Sequence, residues 1–259
     1  MDDLDRSVIH RLSSSFVLAR QSAQELQQLY ADSGVSLNPQ SSLAQLIAHG
    51  IQLANDWEEG AIIDDQDPLP LIRGQHLDKI AWAALPLRNV PDRAQHLASL
   101  RRGSLDPLSR DPSPAKDKLW ELEVWRQFIE RGISAELEEP DVVVATPMGR
   151  MAVACKRIYS LNNATKPISN GVAQIERSGL PGILAISIED VCIPTDRLMR
   201  APNVEKAAEI LNEFNLIFIN QFHDTLVRYL STGRASCVQV SICAPVHLDD
   251  VGIREFRQT

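Results

Sequence analysis

Apolar residues recur every three or four positions from Val8 to Tyr30 and from Ser42 to Trp57, the spacing of an amphipathic helix, and Ser41 or Ser42 is placed to cap the second. No segment before residue 110 alternates with the period of a strand, so residues 1–110 are expected to form a helical region. From Leu97 to Pro114 the chain concentrates Gly, Ser, Asp and Pro, which favour turns and extended backbone. A boundary or linker is expected there, dividing the helical region, 1–110, from a second unit, 111–259.

The second unit has a different rhythm. Ser113-Pro114 starts a helix, since Pro is tolerated in a first turn where no backbone donor is needed, and Gly132 suits a left-handed stop after Arg131. Three short apolar runs read as strands, Ile133 to Leu137, Val142 to Thr146 and Met151 to Cys155, the last two joined by a turn at Pro147-Met148-Gly149. A helix over Lys166 to Ser178, a Gly-Leu-Pro-Gly turn at 179–182 and a strand over Ile183 to Ile188 complete the order helix, three strands, helix, strand. A long apolar helix, Asn203 to Tyr229, and a last strand, Val238 to Cys243, follow. Such mixing predicts an α/β (α+β) fold in which a mixed sheet is layered with helices.

Composition narrows the classes. The 259 residues, 44% hydrophobic and 23% charged, suffice for one or two domains with a sizeable core. No apolar run reaches the roughly 18 residues of a membrane helix, and Met1-Asp2-Asp3-Leu4-Asp5 is acidic where a signal peptide is basic, so a cytoplasmic protein is expected. Cys155, Cys192, Cys237 and Cys243 show no Cys-x-x-Cys spacing and read as reduced thiols. P-loop, Gly-x-Gly-x-x-Gly and Gly-x-Ser-x-Gly motifs are absent, and His223-Asp224 are neighbours on a helix that face different ways. A net charge of −8 excludes a protein that binds nucleic acid over its whole surface. That sum hides a contrast: between Val142 and Ile188, Arg150, Lys156, Arg157, Lys166 and Arg177 stand against the single acid Glu176, a net of +4.

Within this basic stretch and beside it lies the candidate chemistry. Asp141 stands at the head of one strand, and Lys156 with Arg157 closes the next. On neighbouring hairpin strands a carboxylate and an ammonium can converge, and a Lys at the end of an apolar strand needs a partner for its charge.

The ordered set Trp120-Glu121 in a helix, Glu139-Pro140-Asp141 before a strand, Ala154-Cys155-Lys156-Arg157 at the end of the next, then Ala173-Gln174-Ile175 and Gly182-Ile183-Leu184, resembles the PD-(D/E)xK, or restriction-endonuclease-like, nuclease superfamily over residues 114–190. The resemblance implies a mixed central sheet flanked by helices and Mg²⁺-dependent hydrolysis of phosphodiester bonds, Mn²⁺ serving in its place, in restriction, defence or repair. It makes Asp141 the main metal ligand, Glu121 an auxiliary carboxylate and the backbone carbonyl of Cys155 a further ligand. Lys156 positions or activates the attacking water and offsets charge on the phosphate, and Gln174 hydrogen-bonds into the site. Arg150, Arg157, Lys166 and Arg177 then contact nucleic acid, DNA in the first place. The helical region offers a surface for nucleic acid, a partner chain or a second copy in a homodimer.

One position departs from the pattern. The family usually carries Glu or Asp two residues before the Lys, on the same face of the strand, and here that residue is Ala154. Either Glu121, or Glu123, supplies the missing oxygen; or a single metal rests on Asp141, the Cys155 carbonyl and water, with slow cleavage; or catalysis is lost and a nucleic-acid-binding or scaffold role remains.

Overall fold

The structure, a computed structural model, describes residues 9–12, 16–60, 67–193, 199–249 and 252–258, the first and last of these as backbone alone. The acidic start at residues 1–5 and Val8 lie outside the described residues. The helical part comprises β1 (Ile9–Leu12), α1 (Phe16–Asp32), α2 (Ser42–Glu58), α3 (Leu69–Ala84) and α4 (Arg93–Leu100). Then come α5 (Pro114–Glu130), β2 (Ala135–Glu136), β3 (Val142–Thr146), β4 (Gly149–Arg157), α6 (Thr165–Ser178) and β5 (Gly182–Ser187). The chain continues through α7 (Glu189–Cys192), β6 (Met199–Ala201), α8 (Val204–Gln221), α9 (His223–Ser231), β7 (Cys237–Leu248) and β8 (Gly252–Gln258).

Local signals explain most of these boundaries. Ser41 caps α2 by accepting a hydrogen bond from the Ala44 amide, Asn203 caps α8 in the same way from Lys206, and Pro114 opens α5. Gly132 and Gly179 hold φ of 73° and 68°, the left-handed conformation that ends α5 and α6.

The strands form one eight-stranded sheet in the order β1-β8-β7-β5-β4-β3-β2, with β6 against the outer part of β7. β2, β3 and β4 are an antiparallel meander, whereas β4, β5 and the first part of β7 run parallel. Alternation along the strands splits the interior into two layers. Val153, Cys155, Val142, Val144 and Ala185 pack with α1 to α5 in one cluster, while Ala154, Leu184 and Ile186 pack with α6, α8 and α9 in the other. The architecture is therefore mixed α/β, helices on both faces of a mixed sheet. The first cluster runs from Ala23 to Ala185 and includes Leu105, so the Gly/Ser/Pro-rich segment is packed into the fold and the helices before it share a core with the sheet.

Several elements differ from the sequence reading. Ile9–Leu12, read as the start of a helix, is a strand paired antiparallel with β8, so the first 110 residues do contain a strand. Four residues carry too short a period to be told from a helical turn. The Asn203 to Tyr229 segment is two helices meeting at Phe222, each with its own buried face, Leu211 and Phe218 on α8 and Leu226 and Tyr229 on α9. Only Ala135–Glu136 of the Ile133 to Leu137 run pairs as a strand. The last strand extends to Leu248, and its second half carries β6 and β8, which lacked a legible signal. β4 continues to Arg157 because β5 runs beside it, with Lys156 opposite Ile186 and Arg157 opposite Ser187. Among the described residues no helix is long and apolar enough to cross a membrane.

Candidate active site

β4 outruns β3 at the end where Asp141 stands. The register pairs Val142 with Val153, so Cys155 projects past the last paired residue of β3 and its amide lacks a partner in that strand. Asp141 Oδ2 takes this amide at 2.7 Å. The same oxygen lies 3.4 Å from Lys156 Nζ, which also donates to the Cys155 carbonyl at 2.8 Å. Lys156 is thus folded back along its own strand toward Asp141, its side chain only 17% exposed.

Gly171 on α6 makes this placement possible. A Cβ there would lie 2.4 Å from Leu184 Cδ1 and 3.0 Å from Lys156 Cγ, so the absence of a side chain lets α6 close on the Lys156 stem. Gln174, one turn further along α6, has its Oε1 buried with no hydrogen-bond partner.

The second carboxylate comes from the other side of the sheet. Glu121 on α5 is ion-paired with Lys118 one turn before it, a residue that sequence reasoning missed although the i, i+3 spacing on a helix was its signal. Burial pushes the Glu121 carboxyl up to about 7; Lys118 opposes this, and the negative Asp141 adds to it. Asp141 is raised as well, by burial, against the pull of Lys156 and the Cys155 amide. Two desolvated carboxylates therefore sense each other across a site that also holds Lys118 and Lys156. Burial, then Asp141 and Glu121, lift the Cys155 thiol well above its ordinary value, so it is a packed thiol and not a nucleophile. Glu123 is fully buried two residues beyond Glu121, about 200° around the helix, and so faces away from it.

The predicted cationic contacts separate. Lys166 is exposed at the start of α6, the end of that helix reached first after β4. Arg177, in the last turn of α6, is exposed at the opposite end. Arg150 sits by the hairpin turn, also away from Asp141, and pairs with Glu138 at 2.6 Å and Glu136 at 3.7 Å. Arg157 cannot contact nucleic acid: its side chain is 3% exposed and is held by Asp190 and Glu189 on the other face of the sheet from Lys156.

For a divalent cation the site offers the Asp141 and Glu121 carboxylates and the Cys155 carbonyl, all hard oxygen donors of the kind Mg²⁺ accepts alongside water. Among the described residues no three or more His, Cys, Asp or Glu side chains form a metal-holding group, so two carboxylates are the acidic complement here. Position 154 supplies none, since Ala154 is 0% exposed in the apolar cluster beneath α6.

The raised Glu121 carboxyl has a measurable consequence. The unfolded chain loses this proton near the ordinary value of 4.5 and the folded chain only near 7, so the folded state is penalised progressively as pH rises through that window. Glu121→Gln removes the penalty. It is expected to match the wild type at pH 4 and to exceed it at pH 8 by on the order of 1–3 kcal/mol in urea unfolding. A stability difference that does not grow between these pH values would contradict the account.

No family model, curated protein or solved structure matches the chain.

Proposed function

We propose that this chain is a Mg²⁺-dependent nuclease of the PD-(D/E)xK type, with a restriction-endonuclease-like core over α5 to β5 and DNA as its first substrate class. The observation that carries the reading is the meeting of Glu121, Asp141 and Lys156, from a helix, the entry to β3 and the end of β4, in one partly enclosed site. The order helix, three-strand meander, helix, parallel strand supports the fold assignment.

Asp141 and Glu121, with the Cys155 carbonyl, would hold the Mg²⁺, which when bound supplies Lewis-acid polarisation of a phosphodiester. The Lys156 ammonium, oriented by Asp141 and the Cys155 carbonyl, offsets charge that builds on the phosphate as the bond to the attacking oxygen forms. Lys166, exposed at the start of α6, adds positive potential.

The test is incubation of the full chain with single- and double-stranded DNA and RNA in Mg²⁺ or Mn²⁺. Cutting that a chelator abolishes is the expected result. Failure to cut any of these substrates with either metal, with binding retained in gel shifts, selects the rival, a non-catalytic nuclease-like binding or scaffold module. The apolar packing of Ala154 favours that rival.

A further inference from the structure

The chain carries two pairs of adjacent cations, Arg101-Arg102 and Lys156-Arg157. Carboxylates meet the second pair on both faces of the sheet, Asp141 at Lys156 and Asp190 with Glu189 at Arg157. The first pair is different: among the described residues neither Arg101 nor Arg102 has an ion pair. In a protein of net charge −8 these two guanidiniums stand together without an acid.

Both rise from the turn that closes α4, and hydrogen bonds fix its backbone. The Arg101 amide donates to the Ala98 carbonyl at 3.3 Å and the Arg102 amide to the Ser99 carbonyl at 3.0 Å, while the Arg102 carbonyl accepts from Ala115 at the start of α5 at 3.1 Å. Arg101 is also held at its head, where Nη1 donates to the Ser36 carbonyl. Its Nη2 makes no hydrogen bond among the described residues, and neither does the exposed guanidinium of Arg102.

These side chains line a cleft of about 380 Å³ between the end of α4 and the turn that enters α2, with Asn38, Gln40, Ser41 and Ala98 as its other walls. Small-molecule sites span roughly 300–1,000 Å³ but are mostly apolar, whereas here Ala98 is the one apolar residue of six, so an apolar ligand gains little. Acceptors in the walls are already engaged. The Asn38 carbonyl takes the Ser41 hydroxyl at 2.7 Å, Asn38 Oδ1 the Gln40 amide at 2.9 Å, and Ser41 Oγ the Ala44 amide at 3.3 Å. The two charged donors are what the cleft has left to offer.

We propose that this cleft binds a phosphate group, with Arg101 Nη2 and the Arg102 guanidinium as charge-assisted donors and the Gln40 side-chain amide beside them. Guanidinium suits this role because its planar, permanently charged fork matches the spacing of phosphate oxygens. A bare phosphate would leave most of the cleft to water, so a phosphate carried by a nucleotide, free or within a strand, fits it better. The cleft shares no residue with the site around Asp141, and the inference stands whether or not the chain cuts nucleic acid.

The test uses the full chain in EDTA, which keeps metal-dependent cleavage out of the measurement. Calorimetric titration and thermal unfolding are run with adenosine monophosphate, adenosine and a single-stranded oligothymidylate, against chloride at equal ionic strength. Adenosine monophosphate is expected to bind one-to-one and to raise Tm by about 3–6 °C at tenfold excess over Kd, and adenosine is expected not to bind. Arg102→Glu reverses a charge at an exposed position and is expected to weaken binding at least tenfold while leaving Tm in chloride unchanged. Arg101→Gln is expected to show the same loss of binding. Tighter binding of the oligothymidylate, with a steeper salt dependence, identifies a strand as the source of the phosphate; equal binding identifies a free nucleotide. No binding of either phosphate compound by the wild type, adenosine binding as well as its monophosphate, or undiminished binding by both variants overturns the proposal. So does a loss in Lys156→Gln that the arginine variants do not share, which would put the phosphate at the candidate active site instead.

Discussion

Lys156→Ala is expected to slow metal-dependent cleavage by about 10²–10⁴-fold, the range spanned by loss of a positioned proton-transfer group or of a charge-stabilising donor. Lys156 Nζ has two fixed partners, Asp141 Oδ2 and the Cys155 carbonyl, and its stem is held by α6 at Gly171, so the ammonium is pre-positioned and does not reorganise as charge develops. Water filling the space left by alanine would carry no comparable fixed charge. Asp141→Ala is expected to do at least as much damage, because it removes both a ligand oxygen and the group that orients Lys156. Single-turnover cleavage of a labelled duplex, with circular dichroism confirming that both variants fold, measures this. If either variant retains the wild-type rate within a few-fold, the reaction does not run through this site. Lys156→Arg separates charge from position: it keeps the charge but replaces the compact ammonium that reaches Asp141 Oδ2 and the Cys155 carbonyl together with a planar fork, so little rescue is expected.

Asp190→Ala is expected to cost about 3–5 kcal/mol of stability, the range found when one partner of a buried ion pair is removed. Asp190 is the shared partner of Lys116 and Arg157, and without it both buried cations lose their closest carboxylate. Loss of Arg157 would be milder, since Lys79–Glu189 and Lys116–Asp190 would survive as neutral pairs. By contrast Lys166→Ala, at an exposed helix start, is expected to change stability by less than about 0.5 kcal/mol. Urea unfolding of the three proteins ranks the effects. A loss at Asp190 no larger than that at Lys166 would mean that the enclosed cations are solvated or paired elsewhere.

Asp141 was legible as a candidate because the strand signal of the Val142 to Thr146 run beside it is local, whereas Glu121 entered only through the resemblance to the PD-(D/E)xK pattern, on a helix that Pro114 and Gly132 mark. Their neighbour Lys118 was not singled out, since a Lys three residues from a Glu on a helix is usually a solvated surface pair, and here burial of the helix makes it part of the site. β1, β6 and β8 escaped because their partners are set by tertiary pairing: Ile9 pairs with Gln258 at the other end of the chain. The closeness of α6 to Lys156 depends on Gly171, which in the sequence is only a glycine inside a helical pattern.

By itself the sequence determined the helix, meander, helix, strand core, the mixed α/β class, and the pairing of Asp141 with Lys156 as a candidate centre, because periodicity, caps and turn residues act over a few positions. Only the tertiary structure decided what the adjacent cations do. Lys156 and Arg157 look equivalent in the chain, but successive residues of a strand face opposite ways, and the layers packed on the two faces differ. One face leaves Lys156 beside Asp141 in a partly open site; the other encloses Arg157 with Asp190 and Glu189 under α3 and α5.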